Sequence, residues 1–130
     1  MKALYIKGTD DSPDVILDKD QESFMLSGKS LPENVTIFYD PILEWISEYA
    51  KEPLEKTIFT INLEYFNTAS SKLILDIFML LEEMSEAGSD VEINWNYADY
   101  DEDMKEAGVE YSEMVELKFN LILKNLDSKK

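Results

Sequence analysis

Thr57-Ile58-Phe59-Thr60-Ile61-Asn62-Leu63-Glu64-Tyr65-Phe66-Asn67-Thr68-Ala69-Ser70-Ser71-Lys72 changes period part-way along. From Thr57 to Leu63, Phe59, Ile61 and Leu63 share one face and Ile58, Thr60 and Asn62 the other, which is strand alternation. From about Ala69 to Ala87 the spacing is helical. Leu73, Ile77, Leu80, Leu81 and Met84 make an apolar stripe, and Lys72, Asp76, Glu83 and Glu86 a polar one. Gly88 suits the position just past a helix end. Val91, Ile93, Trp95 and Tyr97 then alternate with Glu92, Asn94 and Asn96. Strand, helix and strand in this order predict a right-handed parallel crossover, so the fold class is α/β.

Working outward, Ala3 to Lys7 is a short apolar run stopped by the turn cluster Gly8-Thr9-Asp10-Asp11-Ser12-Pro13. Val15 to Leu17 and Ser23 to Gly28 flank a polar connection and predict a hairpin. Gly28 to Asn34 reads as a loop. A helix is predicted near Asp40-Pro41, with Asp40 as cap, because Ile42, Leu43, Trp45, Ile46 and Tyr49 recur at helical spacing. Asp99 to Ala107 reads as a short acidic helix closed by Gly108. Leu117, Phe119, Leu121 and Leu123 alternate as a last strand. The sum is a single domain over residues 1–126, with a polar tail at 127–130. Its one mixed β-sheet carries helices mainly on one face, since Asn62, Asn94 and Asn96 leave the other face polar.

Composition removes most chemistry. The 130 residues contain no Cys and no His, which excludes disulfides, Cys/His zinc sites, thiolate nucleophiles and histidine acid/base work. The formal charge of −16 opposes binding to nucleic acid or anionic lipid and favours a basic protein partner. No run approaches the roughly 20 apolar residues of a membrane span, so no direct membrane insertion is expected. The start, Met1-Lys2-Ala3-Leu4-Tyr5-Ile6-Lys7, is unlike a signal peptide, and a cytoplasmic location is expected.

Asn67-Thr68 stands where ligands meet parallel sheets, at the carboxyl end of a strand beside a helix start. Thr68 there reads either as a cap for the amides of Ser70 or Ser71, or as a phosphoacceptor facing free amides, with Lys72 adding positive charge. Tyr39, Tyr65 and Tyr97 are candidates for the rim of an interface. Asp99-Tyr100-Asp101-Glu102-Asp103 with Glu110 imitates calcium-loop spacing, but Met104 stands where the sharp turn needs Gly, so no metal is expected. No carboxylate pair is singled out for hydrolysis, and no phosphate-binding glycine motif occurs.

Three segments together carry a family resemblance. They are Gly28-Lys29-Ser30-Leu31-Pro32-Glu33-Asn34-Val35 with Phe38-Tyr39 and Trp45; Tyr65 to Lys72; and Trp95-Asn96-Tyr97 with Asp101-Glu102-Asp103-Met104 and Gly108. From about Leu4 to Phe119 the chain resembles the SiaC-type bacterial regulatory phosphoproteins. That resemblance implies a domain similar to anti-sigma-factor antagonists (STAS-like), with no catalytic activity and no cofactor. It implies that Thr68 is phosphorylated by a Ser/Thr kinase of the histidine-kinase-ATPase type and restored by a PP2C-type phosphatase. It further implies that the unmodified form activates a GGDEF diguanylate cyclase and so promotes cyclic di-GMP signalling and biofilm growth. Tyr65, Asn67, Ser70, Ser71 and Lys72 then shape the phosphosite, and Ser30, Pro32, Glu33, Asn34 and Tyr39 are candidate interface residues. Ala69 stands where that family often has Ser. An anti-sigma-antagonist role, sequestering a kinase-like partner, is the alternative, and a small carboxylate-dependent hydrolase a remote one.

Overall fold

The computed structural model describes residues 1–124; the tail at 127–130 lies outside them. In chain order the elements are β1 (Leu4–Ile6), β2 (Asp14–Asp18), β3 (Ser23–Ser30), α1 (Val35–Tyr49), β4 (Lys56–Phe66), α2 (Thr68–Glu86), β5 (Asp90–Ala98), α3 (Glu102–Met114) and β6 (Lys118–Lys124). All six strands form one sheet in sequence order. β1, β2 and β3 are antiparallel neighbours. β3, β4, β5 and β6 are parallel, and one helix connects each pair.

Register puts the apolar residues in rows. Phe24, Phe59, Ile93 and Phe119 stand side by side across β3 to β6, and Leu26, Ile61, Trp95 and Leu121 form the next row. All three helices cover this face. Trp45 of α1 meets Phe24, Phe78 of α2 meets Trp95 and Phe119, and Tyr111 of α3 meets Trp95, at ring-centroid distances of 6.1, 6.4, 5.7 and 5.3 Å. Among the described residues the opposite face carries no helix, and Thr60, Asn94 and Asn120 lie in one row across it. There Glu92 accepts from Asn120 Nδ2 at 3.1 Å and pairs with Lys56 at 3.0 Å, tying β4, β5 and β6 together. No helix among the described residues is long and apolar enough to cross a membrane.

Several boundaries differ from the sequence reading. α1 starts at Val35, not at Asp40, because the Asn34 side chain accepts the Ile37 amide at 3.0 Å and caps an earlier turn. Pro41 therefore lies inside the helix. It removes one backbone donor, but Pro41 and Ile37 are both exposed, so water can satisfy the freed Ile37 carbonyl. β3 continues through Gly28 to Ser30. The ladder shifts register between Gly28 and Lys29, and Gly28 takes φ +111°, so this glycine marks a bulge rather than a loop start. The buried line of α2 runs through Ile74, Ile77, Phe78, Leu81 and Met84, rotated from the predicted stripe, because the helix packs on both the sheet and α1. Gly88 behaves as expected, with φ +114° just beyond the helix.

α3 does not stop at Gly108 but runs through it. A Cβ at this position would stand 2.5 Å from Trp95 Cδ1 and 2.7 Å from Trp95 Nε1. The bare glycine thus lets Trp95 Nε1 donate to the Met104 carbonyl at 2.9 Å. Gly108→Ala raises helix propensity yet forces this contact apart, so it is expected to destabilise by about 1–3 kcal/mol in urea unfolding.

The Glu92 carboxyl is held below its ordinary value by the hydrogen bond from Lys56, then by Asn120. A carboxyl depressed by folding stabilises at pH values above its unfolded pKa, and that gain is lost as pH falls through the folded value. Glu92→Gln is therefore expected to lose less stability than the wild type on acidification below about pH 4.5, measured by unfolding at a series of pH values.

Candidate functional site

The parallel strands β3, β4 and β5 end on the same edge of the sheet, and α2 starts there directly after β4. Asn67, not Thr68, is its cap. Its side-chain oxygen accepts the Ser70 amide at 2.8 Å, and its carbonyl accepts the Ser71 amide at 3.0 Å. Asn and Thr both suit a cap, and here the longer amide side chain takes it, which moves Thr68 one place into the helix. Thr68 is exposed, and among the described residues its hydroxyl makes no hydrogen bond. The first helical amides, Thr68 N and Ala69 N, have no carbonyl one turn back to bond within the helix.

Beneath Thr68 lies a buried hydroxyl chain. Ser30 Oγ and Tyr39 OH are 2.6 Å apart, and Ser30 Oγ donates to Ser70 Oγ at 2.9 Å. Ser70 Oγ in turn donates to the Ser30 carbonyl at 2.9 Å, which also accepts the Asn67 amide at 3.0 Å. Ser30, Tyr39 and Ser70 are each 0% exposed. Burial raises the Tyr39 hydroxyl above its ordinary pKa, so it stays neutral. Ser30 and Tyr39 are therefore not interface residues, contrary to the sequence expectation. Their polarity is explained by one another, since a buried hydroxyl without a partner would be costly.

The other candidates divide by surface. Tyr65 is 51% exposed, Glu33, Asn34 and Lys72 are exposed, and Pro32 and Ser71 are half-buried. Asn34 is committed to capping α1. Ser71 Oγ donates to the Thr68 carbonyl at 2.7 Å.

Sequence reasoning missed Tyr111, whose hydroxyl donates to the Ser71 carbonyl at 2.7 Å and ties α3 to the first turn of α2. Burial is the main cause raising its pKa, so it too stays protonated. A tyrosine at core spacing on α3 gives no sign of this in sequence, because the contact spans the fold. Between α3 and the start of α2 lies a groove of about 190 Å³, lined by Phe66, Ser71, Lys72, Tyr111 and Met114 among others. It adjoins a second of about 180 Å³ lined by Glu64, Tyr65, Asp101, Asp103 and Met104. Phe66 and Ala107 belong to both. Asp101 caps α3 by accepting the Met104 amide at 3.0 Å, so the acidic run opens a helix rather than a calcium loop. The whole edge offers an anchored helix start, an exposed hydroxyl and a groove with an aromatic wall beside it.

Residues 6–124 match the sequence model of the SiaC family regulatory phosphoproteins. The chain belongs to the SiaC family. An uncharacterized protein of Pseudomonas aeruginosa (strain UCBPP-PA14) is 29% identical over 113 residues, covering 87% of this chain and 90% of that protein. The structure of SiaC of Pseudomonas aeruginosa superposes with a TM-score of 0.88 at 27% identity, covering 95% of this chain and 100% of that one. A chain in the crystal structure of diguanylate cyclase SiaD in complex with its activator SiaC gives a TM-score of 0.88 at 27% identity, covering 93% and 99%. A single α/β domain with one mixed sheet, as the residue pattern predicts, is thus shared with SiaC.

The capping geometry sets apart two neighbouring side chains. Asn67→Ala is expected to cost about 1 kcal/mol of stability, the usual loss for a cap, whereas Thr68→Ala stays within roughly 0.5 kcal/mol. Urea unfolding of both variants checks the pair, and equal losses would return the cap to Thr68.

Proposed function

We propose that this protein is a non-enzymatic, phosphorylation-controlled partner switch. Its unmodified form binds and activates a GGDEF diguanylate cyclase, and phosphorylation of Thr68 ends that activation. The observation that carries the reading is the state of Thr68. Its hydroxyl is exposed and uncommitted, while Asn67 and Ser70 beside it are held by hydrogen bonds. The reading is supported by membership of a family of regulatory phosphoproteins and by likeness to the SiaC that activates SiaD. A Ser/Thr kinase of the histidine-kinase-ATPase type adds the phosphate, and a PP2C-type phosphatase removes it.

The physics is local. A phosphate on Thr68 brings about −1.5 to −2 charges to a surface that already carries Glu64, Asp101, Asp103 and Glu110. The unpaired amides of the first turn and the positive end of α2 can hold that phosphate without refolding. A partner seated over the groove then meets like-charge density and a strongly hydrated group that it must desolvate. Such an insertion weakens binding by about tenfold to a hundredfold, or roughly 1.4–3 kcal/mol. Tyr65, Asn67, Ser70, Ser71 and Lys72 serve the switch from different depths. Tyr65 and Lys72 face the partner, and Asn67, Ser70 and Ser71 hold the helix start in place.

Reconstitution with a GGDEF cyclase from the same genome tests the proposal. Wild type and Thr68→Ala are expected to raise cyclic di-GMP production, and Thr68→Asp to raise it at least tenfold less at equal concentration. Equal activation by all three proteins, with unchanged circular dichroism, rejects Thr68 as the switch.

A further inference from the structure

A second surface lies on the outer side of the helical layer, away from Thr68. Between α1 and α2 runs a groove of about 370 Å³ with Leu43, Met79 and Leu80 on its floor. Met79 is 48% exposed, although it belongs to a helix whose other face is buried in the core. Asp76 and Glu83 of α2 flank this floor. On the α1 side the groove continues past Leu43 and Ser47 into a shallow depression bordered by Asp40, Glu44 and Glu48. Of these five carboxylates only Glu48 has an ion-pair partner among the described residues, Lys51 at 2.7 Å. No lysine lines either depression.

We infer that this groove is a second docking surface, and that its occupant is an amphipathic helix with an apolar stripe flanked by Lys or Arg. The floor and its walls match that occupant in two independent ways. Apolar side chains on two neighbouring helices offer the channel into which a third helix lays its apolar ridge. Carboxylates on both sides, with no cation among the lining residues, select a helix with basic flanks and disfavour a second copy of this acidic chain. Asp76 and Glu83 lie 8 and 15 residues beyond Thr68 on one helix, which at 1.5 Å per residue is roughly 12 to 22 Å away. The groove is thus separate from the phosphosite, and a helix bound there is retained when Thr68 is modified.

The isotope-labelled full chain, titrated with a helical peptide of leucines flanked by lysines, tests this by amide shift mapping. Saturable shifts centred on 40–48 and 76–83 are expected, with affinity falling as salt rises. Met79→Lys with Glu83→Lys, both exposed, should weaken binding by about tenfold or more and leave the far-ultraviolet spectrum unchanged. Thr68→Asp should bind the peptide as the wild type does. The proposal is overturned by equal binding of the counterpart peptide with glutamate for lysine, or by unaltered affinity of the double variant. It is equally overturned by shifts centred on the helix-free sheet face or the start of α2, or by loss of binding in Thr68→Asp. That last result would also leave the cyclase proposal standing, so the two readings fail separately.

Discussion

The Ser30 carbonyl is the point on which the start of α2 depends. It accepts both the Asn67 amide and the Ser70 hydroxyl, joining the end of β3 to the start of α2 across the top of β4. Tyr39 from α1 completes the chain through Ser30 Oγ, and Tyr111 from α3 holds the next carbonyl, that of Ser71. Each helix therefore contributes to fixing a single turn. Buried hydroxyl networks of this kind rigidify when every member is satisfied. Rigidity around Thr68, combined with a free hydroxyl at Thr68 itself, is what a modification site needs. In the proposed switch, a modifying enzyme would meet a defined target and the phosphate would meet preset amides.

The sequence carried the architecture wherever period and burial agreed. Phe59, Ile61 and Leu63 alternate in the sequence and face the helices in the structure, all at 1% exposure or less. Val91, Ile93 and Trp95 alternate likewise on the neighbouring strand, at 4% exposure or less. Misreadings arose where a tertiary contact outranks a local signal. Pro41 suggested a helix start, yet Asn34 offers a better cap and Tyr39 needs burial, so the helix begins earlier. Gly108 suggested a helix end, yet its lack of a side chain serves Trp95.

At the site, Thr68 was legible as an important hydroxyl but not as the second member of a cap pair. The choice between Asn67 and Thr68 turns on one backbone placement, which composition does not encode. Ser30 falls in the Gly28 to Asn34 stretch that reads as a loop, and Tyr39 in the set that reads as an interface rim. Their burial follows from a pairing between residues far apart in sequence, and Ser70 meets Ser30 from 40 positions away. Local pattern contains no trace of such a contact. The family resemblance, by contrast, rests on the order of several short segments, and it is what singles out Thr68 as the proposed phosphosite, a choice that periodicity leaves open.

Strand order has a consequence for synthesis. Because the strands lie side by side in the order in which they are made, the pairing edge for each new strand is complete before that strand emerges. β2 closes on β1 and β3 on β2 through short connections, and each later strand arrives with its own covering helix already translated. Among the described residues no early strand waits with a vacant slot for a late one, which limits the time that strand edges stay open to other chains. The nascent domain can therefore grow from one side, from β1 towards β6, like a wall laid course by course.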